Sequence, residues 1–222
     1  MHNKKIMRQW LVGIMLFGLL FSNAHAAYEP NDNYSSLILA YQSSAFSSPV
    51  CIDAECHEGV GGLAVVYTRQ LFVPHFALGA SGSYLTSTGN TSSIKSSNGS
   101  VFMEGIAGLG KRVDVGAILA ALSTTLERCS TTPSGCNSTP DRGTDVAIFG
   151  KVFLDDIRSV TVGLRYDYIT YQKASTQTII TLSLVTIIAQ HHKLAFSVDR
   201  VRDSNGSAVS GGYGFGYSYL IS

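Results

Sequence analysis

The four cysteines are the residues of this chain best suited to covalent chemistry, and they come as two close pairs, Cys51 with Cys56 and Cys129 with Cys136. An even count suits disulfides in an oxidising compartment. The local pairs are the simplest of the connectivities open to them. Each would pin a loop tip, with little entropic gain because the closed loop is short. Zinc is the rival reading, since His57 adjoins Cys56, but the spacings are not those of a zinc module. His57 also stands among Asp53, Glu55 and Glu58. A histidine with carboxylates can do general acid–base work, yet the segment reads more simply as a solvated acidic loop. His75, His191 and His192 read as structural. Gly61-Gly62 and Gly108-x-Gly110 lie in strand-like stretches without a following helix, so they are not phosphate loops. No catalytic residue, metal or cofactor is expected.

A second group of chemically interesting residues is charged and embedded in apolar alternation: Glu104, Asp145, Lys151, Arg165, Asp167 and Asp199. What they do depends on the elements that carry them. After Ala26 no stretch keeps a helical period, and period two recurs instead. Val160, Val162, Leu164, Tyr166 and Tyr168 alternate with Thr161, Gly163, Arg165 and Asp167. Tyr213, Phe215, Tyr217 and Tyr219 alternate with Gly212, Gly214, Gly216 and Ser218. Candidate strands fall at about 34–46, 60–72, 75–87, 100–111, 113–126, 144–154, 157–171, 177–189, 193–202 and 209–221. Short links near Val73-Pro74, Arg112, Asp155-Asp156 and His191-His192 alternate with longer, Ser/Thr/Asn/Gly-rich ones at 47–59, 88–99, 127–143, 172–176 and 203–208. The cysteines fall in two of these expected loops.

The chain opens with Lys4, Lys5 and Arg8, an uncharged run from Trp10 to Phe21, and Ala24-His25-Ala26. This is the layout of a cleaved secretory signal, residues 1–26; the apolar run is short for a membrane anchor. Of 222 residues only 14% are charged, and the formal net charge is +1. Removal of the signal leaves 13 basic against 15 acidic residues, which excludes an electrostatic nucleic-acid binder. Residues 27–222 are expected to form one domain. With one strand face apolar and the other small or polar, the favoured reading is all-β: a transmembrane antiparallel up-and-down barrel of ten strands, with eight as the alternative. In lipid every backbone polar group must be paired internally, which closure achieves. A soluble periplasmic sandwich is the rival, but its outward face would carry more charge. The six strand charges would then face the lumen, because the lipid face costs up to a few kcal/mol for each. They line a narrow conduit or, as the size of a small barrel favours, a salt-bridged plug. Arg69 and Arg200 reach headgroups from strand ends.

The signal, the alternation and the chain end together resemble the Gram-negative outer-membrane β-barrel class, in the manner of small porin-like barrels of the OmpA and OmpX kind. The assembly signal of that class resembles a glycine followed by alternating aromatics near the C-terminus, which Gly214, Tyr217 and Tyr219 match; Leu220, Ile221 and Ser222 then follow. The resemblance implies the outer membrane as location, its lipid and lipopolysaccharide as surroundings, and the barrel-assembly machinery as partner. The expected function is non-enzymatic: a porin-like or surface-display barrel with disulfide-pinned loops and a narrow or plugged polar lumen. A rim enzyme (a protease similar to the omptin class, or a lipid-modifying enzyme) and an adhesin are the alternatives.

Overall fold

The computed structural model describes residues 35–52, 54–71, 75–131, 134–155, 159–189 and 191–221. Segment 1–26, Asp53, Val73-Pro74, Asp156 and Ser222 lie outside these residues. Ten antiparallel strands close into one barrel: β1 (Ser36–Ile52), β2 (Glu55–Gln70), β3 (Phe76–Thr88), β4 (Ser92–Gly108), β5 (Val113–Thr131), β6 (Ser134–Phe153), β7 (Val160–Tyr171), β8 (Gln177–Ala189), β9 (His192–Asp203) and β10 (Ala208–Leu220). Each pairs with its sequence neighbour, and β10 closes on β1 through Leu37↔Tyr219 and Tyr41↔Phe215. Closure leaves no edge in the girth of the barrel.

The side-chain alternation is inverted relative to a water-soluble protein. Leu63 is 70% exposed, Val101 62% and Phe215 54%, while their neighbours Ala64, Gly214 and Gly216 are buried. An apolar surface of this extent fits a lipid surround and not water. Tyr67 and Tyr219 stand at the level of Leu37, and Tyr84 at that of Leu63 and Tyr41, giving aromatic borders to the band.

The interior is filled from one side. Ala77, Ile106, Ile118, Ala120, Ala147 and Phe149 form a buried cluster, with Phe102 and Leu122 packed on it. All belong to β3–β6. The two phenyl rings lie over glycines of the neighbouring strands. A Cβ on Gly116 would collide with the Phe149 ring and the Gly105 carbonyl, and one on Gly79 with the Phe102 ring. The facing wall is lined by small groups such as Ala40, Ser183, Ser197 and Gly214.

Three of the expected loops are strand. β1 and β2 run through 47–59, β3 and β4 meet over 89–91, and β5 and β6 pair as far as Thr131↔Ser134. The first six strands therefore rise above the last four: β6 has 20 residues and β7 has 12. The last β6–β7 pair is Gly143↔Tyr171, so Ser134–Pro140 stand beyond it with a paired strand on one side only. Pro140, which lacks an N–H, falls in this one-sided stretch, and Pro49 falls where the β1–β2 register shifts between Ala45 and Val50. Both are positions that tolerate proline in a sheet. The other two long links are loops: Gly206 turns the β9–β10 connection with φ 79°.

Candidate functional site

Three constellations occupy different heights of the barrel. At the upper rim, beside the register shift of β1, Phe46, Val50 and Ile52 of β1 and Leu126 of β5 pack on the buried cluster of Val60, Leu85 and Ile94. The tip of this hairpin is held by Cys51–Cys56, and the β5–β6 hairpin by Cys129–Cys136. In both cases the two cysteines are directly opposed in the strand register. They sit in paired strands, not in loops.

The acidic segment is not a solvated loop. The carboxylate of Glu55 accepts the backbone N–H groups of Asn90 (2.7 Å), Thr91 (3.0 Å) and Ser92 (2.8 Å) and the hydroxyls of Thr91 (3.2 Å) and Ser92 (2.7 Å). These donors, the Ser92 hydroxyl foremost, lower its pKa to about 2. His57 is buried, with Nε2 2.8 Å from Ser92 Oγ and Nδ1 2.8 Å from Ser87 Oγ. Since the Ser92 proton goes to Glu55, Ser92 accepts from Nε2–H, and Nδ1 accepts from Ser87 when the ring is neutral. In the chain Ser87–His57–Ser92–Glu55 the Ser92 hydroxyl stands between the imidazole and the carboxylate, so Glu55 does not orient the ring directly as the acid of a nucleophile–base–acid triad does. These residues abut the apolar cluster of Leu85, Val60 and Ile94, and their polar atoms fasten the first hairpin to the β3–β4 turn. Thr131 ties the β5–β6 hairpin to the same turn by donating its N–H to the Thr91 carbonyl at 2.8 Å.

At the waist, Arg165 on β7 donates to Asp167 two residues along the same face and, at 3.2 Å, to Asp145 Oδ2 on β6. One ion pair runs along β7 and the other diagonally to β6, and neither crosses the lumen. Asp145 Oδ1 is buried and accepts no hydrogen bond from the described residues. Glu104, Lys151, Arg165 and Lys193 line a cavity of about 350 Å³ below this point, with the Lys151 ammonium 5.5 Å from the Phe149 ring centre. Asp199 is level with Arg165, with Thr181 of β8 between them; it sits against Gly212 and forms no ion pair among the described residues. Lys193 had not been singled out in the sequence; its place opposite Ser218 and two residues before Ala195 would have marked it as lumenal.

Above the waist lies a second cavity of about 460 Å³, bounded by the inner face of β4–β6 and the low β7–β8 connection. Asp141 shapes its floor. Burial opposes ionisation of this carboxyl, but the backbone N–H groups of Ala174 (2.8 Å), Arg142 (2.8 Å) and Lys173 (3.1 Å) outweigh it and lower the pKa. At the other end of the chain, Tyr217 bonds the His192 ring and Tyr219 packs edge-on to it at 5.4 Å, while Gly214 is buried opposite Ser197.

The chain matches no protein-family model and no curated protein. Among solved structures it is similar to the NanC porin, at 7% identity over 83% of this chain and 100% of that one, with a TM-score of 0.51. It is also similar to Ail, the attachment invasion locus protein of Yersinia pestis (12% identity, 85% of this chain and 98% of that one, TM-score 0.44). A third similar structure is the outer membrane protease OmpT from Escherichia coli (9% identity, 86% and 97% covered, TM-score 0.48). At such identities the shared property is the fold, that of the closed, antiparallel outer-membrane β-barrels.

Proposed function

We propose that this chain is a non-enzymatic outer-membrane barrel that holds a rigid wall of six strands at the cell surface, over a lumen closed at its waist. The tight-turn end, with both chain ends, faces the periplasm. The observation that carries the reading is the side-chain filling of the waist: the buried Ile169, Asp145 and Asp167 lie by strand register between the heights of the two cavities, with Arg165 bridging the carboxylates from the lower side. A small barrel whose interior is filled by side chains is a plug. The wall supports display: two disulfides and the Glu55 contacts fix it, and Ser134–Pro140 are exposed on both faces.

Orientation is tested on intact cells with a membrane-impermeant amine reagent. Lys173, at the upper end, is labelled, and Lys111, in the tight β4–β5 turn, is not. The reverse pattern contradicts the orientation, and recovery of the protein in the soluble periplasmic fraction contradicts the barrel in a membrane. In planar bilayers the purified protein gives no steady open-channel steps; steady conductance contradicts closure of the waist.

A further inference from the structure

We infer that the upper cavity is a binding site for a carboxylated saccharide. Its volume of about 460 Å³ lies within the range of small-ligand sites, about 300–1,000 Å³. Beside apolar groups such as Leu126 and Ala174, its lining carries many hydrogen-bonding ones: hydroxyls such as Thr124 and Thr139, side-chain amides such as Asn98 and Asn137, the Tyr171 hydroxyl, and two cations, Arg128 and Lys173. Hydroxyls and amides both donate and accept, the complement of a polyhydroxylated molecule.

The charge balance selects the sign of the ligand. Asp141 is the carboxylate of this cavity, and its oxygens are held by the backbone N–H groups of Arg142, Lys173 and Ala174. Asp203, paired with Gln177 of the lining in the β8–β9 register, likewise accepts from the N–H groups of Asn205 and Ser207, each at 2.9 Å. Arg142, Lys95 and Glu127 alternate to the outer face of the wall. Arg128 forms no hydrogen bond or ion pair among the described residues, and the Lys173 ammonium donates one bond, to the Pro140 carbonyl at 2.8 Å. A guanidinium presents a planar fork that matches a carboxylate through two parallel hydrogen bonds. Arg128 is held on β5 opposite Asn137, one pair below the Cys129–Cys136 bond, so the fork projects from a fixed backbone. The site is open to the upper end, and it does not depend on whether the waist conducts.

The test is calorimetric titration of the mature protein in detergent micelles with short glucuronate oligosaccharides. Three comparison ligands are used: the same chains with carboxylates reduced to alcohols, neutral chains carrying sulfate, and inorganic sulfate alone. Saturable binding of the glucuronate chain is expected, with at least a tenfold loss on reduction of the carboxylates. Arg128→Gln gives a similar loss, Lys173→Met a smaller one, and Arg200→Gln, on the outer face, none. Unchanged heat-modified migration shows that the variants are folded. The inference is overturned if the reduced chain binds as well as the parent. It is equally overturned if the sulfated chain or free sulfate matches the carboxylated chain, if nothing binds, or if Arg128→Gln leaves affinity intact.

Discussion

Glu55 at the rim and Asp145 at the waist are both carboxylates set in the wall of one barrel, and their partners differ in kind. Among the described residues Glu55 has no cation; its charge is spread over five neutral donors, three backbone N–H groups of a turn and two hydroxyls. Asp145 has a cation, Arg165, shared with Asp167, and one oxygen is left without a donor. The rim can rely on dipoles because water screens and solvates whatever the dipoles leave. The waist has apolar side chains on one flank, so two carboxylates there require a counter-charge. Removing a partner should accordingly cost much at the waist and little at the rim.

The largest effect is expected for Arg165→Ala. It leaves Asp145 and Asp167 facing each other without their cation. Loss of one partner of a buried pair costs about 3–5 kcal/mol. The Arg165 side chain is 40% exposed to its cavity, which places the loss near the lower end, measured as thermal unfolding in detergent. Combining it with Asp145→Asn and Asp167→Asn should restore most of it. If the single variant melts like the parent, the waist charges are as well solvated as the rim and the contrast fails. Gly116→Ala comes next. The added methyl meets the Phe149 ring and the Gly105 carbonyl, and overpacking of this kind costs about 1–3 kcal/mol. Gly135→Ala, in the wall with open space around it, is the matched control and should be neutral.

The band and the waist are legible in the sequence because lipid forces strict alternation there. Tyr213, Phe215, Tyr217 and Tyr219 can only point one way when Gly212, Gly214 and Gly216 point the other. Above the band both faces of β6 meet water over Ser134–Pro140. Nothing then enforces alternation, and Ser134–Thr139 read as a loop although they are strand. The cysteine spacing held a clue: four residues between Cys51 and Cys56, and six between Cys129 and Cys136, are even numbers that allow direct cross-strand opposition in a hairpin. The Glu55 contacts were not legible, because they join β2 to a turn more than thirty residues ahead. The diagonal pairing of Arg165 with Asp145 needs the β6–β7 register, which alternation does not supply.

Smaller effects belong to the wall. Replacing Cys129 and Cys136 together by serine should lower stability by about 2 kcal/mol, the low end for a disulfide, since the closed loop is short. It should loosen the β5–β6 hairpin, seen as faster amide exchange at Ser134–Arg142, with no change at the waist. The smallest effect is that of Glu55. Its folded pKa is depressed to about 2, so its contribution is complete above the ordinary carboxylate value and is lost as pH falls through about 2. Amide protection at Asn90, Thr91 and Ser92 should follow that fall, and in Glu55→Gln it should be weak at every pH. Equal protection in parent and variant would make the rim contacts incidental.

The claim that the waist closes the lumen is tested most directly by single-channel recording of parent and Arg165→Ala in the same planar bilayers, alongside their melting. The parent is expected to be silent. The variant is expected to melt lower and to flicker open as the bridge is lost. A parent that conducts steadily, with an ion selectivity that shifts in Arg165→Ala at unchanged stability, would show that the charges line an open path and that the lumen is a pore.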